Sequence, residues 1–184
     1  MTRGLACAII GHRPTRFRFK YDENNNGCKR IKKRIRDQLI QLYEQGFRQF
    51  WVGGALGVDM WAGEILLRLK EQPEYSEIQL KIALPFEGHD TDWEDRSRSR
   101  MSFLIRHSAE TVIVGNKEAP PAVNYRRRNE YMVDRAGCLL AVYDNDRSIR
   151  SGTGMTVNYA RKKGLPITLI HPDKATISKE KPER

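Results

Sequence analysis

Four short segments carry residue types suited to holding phosphate or moving a proton: GHRP at 11–14, GGALGVD at 53–59, PFEGHD at 85–90 and DNDRSIRSGTGMT at 144–156. In the second, Gly53 and Gly54 are adjacent and Gly57 falls where a helix is predicted to start. Glycine permits positive φ and lets a ligand approach the backbone without a Cβ in the way. Amides at a helix N-terminus can then hold an anion. Asp59 and Glu64, just beyond, could bind ribose hydroxyls or act as acid–base groups, although Asp in a first helical turn also serves as an ordinary dipole partner. SGTGMT repeats the device: Ser151, Gly152, Thr153, Gly154 and Thr156 combine small residues with hydroxyls that cap a helix or donate to phosphate oxygens.

Gly11, His12 and Arg13 supply an imidazole and a guanidinium within reach of such a phosphate, and Pro14 keeps a helix from starting there. Arg128 and Asn129, in RRRNEYMVD, add a cation near a helix start, a position unfavourable to the dipole unless an anion is close. PFEGHD contributes Pro85 and Glu87. Of the three tryptophans, Trp51 reads as core, Trp61 as packed under the glycine turn, and Trp93 as the ring placed to stack on a ligand. His12, His89, His107 and His171 stand singly with no CxxC or HExxH, and Cys7, Cys28 and Cys138 lack metal-type spacing, so no metal is implied. The cysteines read as reduced thiols acting as small hydrophobes.

These segments must be positioned by the elements between them. Short apolar runs alternate with amphipathic stretches. Strands are predicted at Leu5–Ile10, Phe47–Val52, Ile78–Leu84, Thr111–Val114, Cys138–Tyr143 and Pro166–Ile170. Helices are predicted over 28–45, Val58–Leu69, 94–107, Tyr125–Arg135 and Met155–Lys163. The alternation implies right-handed βαβ units, hence an α/β, three-layer Rossmann-like fold with a mostly parallel sheet of about six strands. Ligands in such sheets collect at the carboxyl ends of strands near the switch point, and all four segments follow strands. Residues 1–172 read as one domain. The charged stretch 173–184 has no periodic core pattern and reads as a frayed tail.

At 184 residues the chain suits a single core. It contains nothing near the roughly 18 consecutive apolar residues of a membrane span and no signal-peptide pattern, so a cytoplasmic protein is expected. The net charge of +10 points to anionic partners. Ten Lys and Arg fall within residues 12–36, and further groups lie at Arg96, Arg98, Arg100 and Arg106 and at Arg126–Arg128. In RFRFKY, Phe17, Phe19 and Tyr21 interleave with Arg16, Arg18 and Lys20, a pattern that could stack bases against cations bound to phosphates. It also fits an ordered loop or edge strand covering the sheet, as basic helical residues fit a solvated face.

Together, GHRP, VGGALGVDMWAGE, RRNEYMVD and RSGTGMT resemble, from about Cys7 to Pro172, the SLOG superfamily that includes DprA and the LOG phosphoribohydrolases, and more closely its small YpsA-like branch. The resemblance implies a Rossmann-like fold whose ligands are nucleotides, nucleotide derivatives or nucleic acid, and it implies a homodimer. GGALGVD looks like the first glycine motif and SGTGMT like the second, phosphate-facing one. Arg128 stands where LOG enzymes keep a catalytic arginine, with Met132 and Asp134 matching residues that follow. LOG enzymes place an essential glutamate where this chain has Thr156, which cannot supply the negative charge an oxocarbenium-like centre needs. The expected role is therefore a nucleotide or nucleotide-derivative binder, sensory or regulatory, requiring no other cofactor. Two alternatives are a phosphoribohydrolase-like enzyme using Arg128 with Glu64 or Glu87, and a DprA-like binder of single-stranded DNA through residues 13–36.

Overall fold

The structure, a computed structural model, describes residues 5–182. Its strands are β1 (Ala6–Gly11), β2 (Gln49–Val52), β3 (Gln79–Leu84), β4 (Glu110–Ile113), β5 (Cys138–Val142), β6 (Ile167–Ile170) and β7 (Ile177–Glu180). The helices are α1 (Asn26–Glu44), α2 (Val58–Lys70), α3 (Asp95–His107), α4 (Pro121–Asp134) and α5 (Gly152–Lys162). The sheet order is β4-β3-β2-β1-β5-β6-β7, parallel except for β7, which runs antiparallel to β6. The chain winds outward from β1 to β4 and then returns to lay β5 against β1. That reversal between β1 and β5 is the switch point.

Strand side chains alternate between the two faces, and the core divides accordingly. Cys7, Ile9, Phe50, Val52, Leu80 and Ile82 face Ile31, Ile35 and Leu39 of α1, Leu66 of α2, and Met101 and Leu104 of α3. On the other face Ala6, Ala8, Ala83, Leu139 and Ala141 meet Met132 and Val133 of α4 and Val157 and Ala160 of α5. These are the three predicted layers.

Two predicted starts came late. α4 begins at Pro121, where the ring lacks an N–H that a first helical turn does not need. α5 begins at Gly152, after Ser151 caps it by accepting from Gly154 N at 3.0 Å. Within the stretch predicted to fray, whose residues 183–184 lie outside the described residues, Ile177–Glu180 forms β7, making seven strands among the described residues rather than about six. Its ISKE sequence buries too little to show a core pattern, and it is held by ladder bonds to β6 and by Arg161 donating to Glu180.

Candidate functional site

The carboxyl ends of β1 and β5 open on a cavity of about 400 Å³. Its wall takes Gly11, His12 and Arg13 from the end of β1, Asp59 from α2, Tyr125, Arg128 and Asn129 from α4, and Ser151, Gly152 and Thr153 from the head of α5. Nine residues singled out in the sequence thus meet at the switch point, although 141 positions separate Gly11 from Gly152 in number. Tyr125 was missed. It precedes Arg128 by three residues and so shares its helical face, and Arg13 stacks over its ring at 4.8 Å from the centroid.

The first glycine turn is already occupied by the protein. Asp59, 6% exposed, turns its carboxylate back so that Oδ2 accepts from Gly53 N at 3.2 Å and Ala55 N at 3.1 Å. A carboxylate thereby fills a cradle of amides that could otherwise take a phosphate oxygen. Arg128, 5% exposed, donates from Nη1 to the Gly53 carbonyl and from Nε to Asn129 Oδ1 at 2.8 Å. The Gly53 peptide is gripped on both sides. Burial pushes the Asp59 carboxyl up, against the pull of Arg128 and the two amides, and it pushes the Arg128 guanidinium down, against the pull of Asp59.

The glycines of this turn, expected to admit a ligand, admit protein instead. A Cβ on Gly53 would lie 2.7 Å from Arg128 Nη1, and one on Gly57 would lie 3.0 Å from Pro14 Cδ. Gly57 also holds φ at 87°, a region that favours glycine. Only Ala55 and Asp59 of the turn reach the cavity, while Gly54 lines a smaller adjoining pocket with Pro85 and Trp93.

The second turn is open. Ser151, Gly152 and Thr153 all line the cavity, and a Cβ on Gly152 would meet nothing within 4 Å. The amides of Gly152 and Thr153, at the start of α5, have no partner among the described residues. Gly154 is different: its N–H is spent on Ser151 Oγ, and a Cβ there would lie 2.8 Å from Tyr143 Oη. Thr156 donates its hydroxyl to Gly152 O at 2.9 Å and faces the groove between α4 and α5 rather than the cavity.

Opposite this turn, His12 is 3% exposed, and its Nε2 is buried without a hydrogen-bond partner, 3.9 Å from Asp144 Oδ1. Burial, then the nearby Arg16, lowers its pKa despite Asp144, so the ring is neutral at pH 7. Such an unpaired buried nitrogen is costly in an otherwise satisfied interior.

Two carboxylates expected at the site lie elsewhere. Glu64 accepts from Arg100 at 2.5 Å in a network that also ties Arg100 and Lys32 to Glu23. Glu87 is exposed beyond Pro85 and is not part of the cavity wall. Trp93 packs against the core with its ring edge-on to His89, whose Nε2 bonds Gly54 O at 2.9 Å. In RFRFKY, Phe17 is 1% exposed and stacks on Phe19, and both pack on Trp61. Of the three aromatics only Tyr21, 64% exposed, remains free to stack a base. The segment is the covering loop, pinned after a 3-10 turn at Pro14–Arg16.

Comparison with known proteins agrees with this architecture. A UPF0398 protein of Halalkalibacterium halodurans is 29% identical over 154 residues, covering 83% of this chain and 80% of its own length. A UPF0398 protein of Bacillus cereus is 27% identical over 158 residues, with 85% and 83% covered. Among solved structures, DNA processing protein A of Streptococcus pneumoniae superposes with a TM-score of 0.59 at 15% identity, over 89% of this chain and 49% of that one. The Helicobacter pylori protein of that name, described with its single-stranded DNA binding mode, gives 0.58 at 19%, over 90% and 65%. This chain thus spans about half of the first and under two-thirds of the second, and the likeness is one of fold. The model of the YspA SLOG family matches residues 7–175. The chain belongs to that family.

Proposed function

We propose that this protein binds a nucleotide or nucleotide derivative, holding a phosphate at the head of α5, and that it holds the ligand rather than cleaving it. One observation carries the reading: the unengaged Gly152 and Thr153 amides, Arg13, Arg128 and the neutral ring of His12 all border one cavity at the switch point. Helix-terminal amides and a guanidinium are the groups that hold phosphate oxygens. Against cleavage, Asp59 is the one carboxylate on that wall among the described residues, and its Oδ2 is engaged by two amides.

Thermal unfolding of the protein against a panel of nucleotides at millimolar concentration tests this. A ligand bound at 100 times its Kd adds about 2.7 kcal/mol of stability, a shift of several degrees. If no nucleotide raises the Tm, the proposal fails. Release of free base, followed by chromatography, would overturn the non-cleaving half.

Binding to single-stranded nucleic acid is the second reading, favoured by the fold shared with the Helicobacter protein and by Lys29, Arg30, Lys33 and Arg36, which are exposed along α1. The inward turn of Phe17 and Phe19 removes its aromatic support. Fluorescence anisotropy with an oligonucleotide should show affinity falling steeply with salt if phosphates are contacted; no binding at low salt ends this reading.

A further inference from the structure

A second depression adjoins the cavity. The groove between α4 and α5 has a volume of about 770 Å³ and shares Tyr125, Asn129, Ser151 and Gly152 with the cavity wall. Of its remaining wall, the sequence points to Thr156 as a ligand contact and to Arg126 only as part of a basic group. Val123 and Met155 supply an apolar surface, Asn129 and Asn158 supply amides, and Arg150 and Lys162 stand at its rim without a carboxylate partner among the described residues. Met155 is 42% exposed, an apolar side chain left at a lip where α5 could have carried a polar one.

The geometry points to this groove as the subsite for the base of a nucleoside phosphate whose phosphate lies at Ser151–Thr153. This rests on the phosphate reading above and extends it. Three arguments favour the groove over the opposite side of the cavity, where Trp93 lies. The first is room: the Trp93 pocket holds about 200 Å³, below the roughly 300 Å³ at which ligand pockets begin. The second is availability. The Trp93 ring is packed on the core and edged by His89, whereas Met155 is open and its flexible thioether adapts to a flat ring. The third is charge: Arg150, beside Ser151, and Lys162 on α5 give the wall two cations to complement an anionic ligand, while its carboxylate, Glu130, is paired with Arg126. The start of α5 belongs to both walls, so a ligand bound there by its phosphate has the groove directly beside it.

The test compares ribose 5-phosphate with the tightest of the four ribonucleoside monophosphates, by calorimetry on the full chain. Wild type should bind the nucleotide at least tenfold more tightly than the sugar phosphate. The double variant Val123→Ser with Met155→Ser should erase that preference and leave ribose 5-phosphate affinity within about twofold, because only apolar contact with the base has been removed. Met155→Ser alone, at an exposed position, should remove about half of the preference on a logarithmic scale. A preference that survives the double variant, or that falls instead with Trp93→Phe, overturns the groove assignment and leaves the phosphate reading standing, as does equal binding of the two ligands by wild type. If neither ligand binds, the phosphate reading fails and takes the groove with it.

Discussion

The two glycine turns look alike, with small residues running into a helix after a strand, directly in the first and across eight residues in the second, and they end in opposite electrostatic states. At Gly53–Gly57 the backbone amides are satisfied by the chain's own Asp59, and the missing Cβ atoms make way for Arg128 and Pro14. At Ser151–Gly154 one amide is capped by Ser151, two stay free, and Gly152 faces open space. A glycine pattern therefore says that something must come close to the backbone. It does not say whether that is a ligand or another part of the fold. Here the first turn builds the wall, and the second faces open space.

Substitutions that exchange these roles should break the contrast. The largest effect is expected for Asp59→Ala, which orphans the buried Gly53 amide and the half-buried Ala55 amide and leaves Arg128 without its counter-charge; a loss of about 3 kcal/mol in denaturant unfolding is expected, and less than about 1 kcal/mol would mean the carboxylate is no keystone of the turn. Gly53→Ala should follow at about 2 kcal/mol, as its Cβ drives the guanidinium off the Gly53 carbonyl.

A smaller effect concerns the network behind α2. Burial works to raise the Glu23 carboxyl, yet hydrogen bonds from Arg100 and Lys32 hold it down to about 2. Its contribution, on the order of 1 kcal/mol once solvent screening is allowed for, is complete above the ordinary value of 4.5 and lost as pH falls toward 2. Wild type and Glu23→Gln should converge in stability over that window; a constant gap would rule out titration of Glu23 as its source. The smallest change in stability, within about 0.5 kcal/mol, belongs to Gly152→Asp. It places a carboxylate in the open turn much as Asp59 fills the first, at a helix start where negative charge is tolerated. Nucleotide-induced stabilisation should vanish all the same, and its persistence would show that the phosphate lies elsewhere.

Much of the frame was readable because hydrophobic period and glycine breaks are local. All six parallel strands and five helices occupy nearly their predicted positions. What the sequence hid depends on partners far away in it. Nothing near Gly53 announces that Arg128, 75 residues on, will need its space. Asp59 was recognisable as a polar residue in a first helical turn, but its folding back onto Gly53 and Ala55 required the turn's shape. Glu64 is drawn away from the cavity wall by Arg100, 36 residues on. α5 began early because Gly152 and Gly154, read as loop, are held helical by the Ser151 cap. β7 escaped because an edge strand with exposed side chains is specified by backbone pairing, to which period is blind.

The doubly gripped Gly53 peptide makes two distant side chains answerable to each other. Asp59 holds its N–H and Arg128 its C=O, so removing either lets the amide plane rotate away from the other. Substitutions at the two positions should therefore be non-additive, with one peptide plane as the lever. A ligand that recruits Arg128 would pull on that same lever, so its occupancy would be felt in α2, on the opposite face of the sheet from α4.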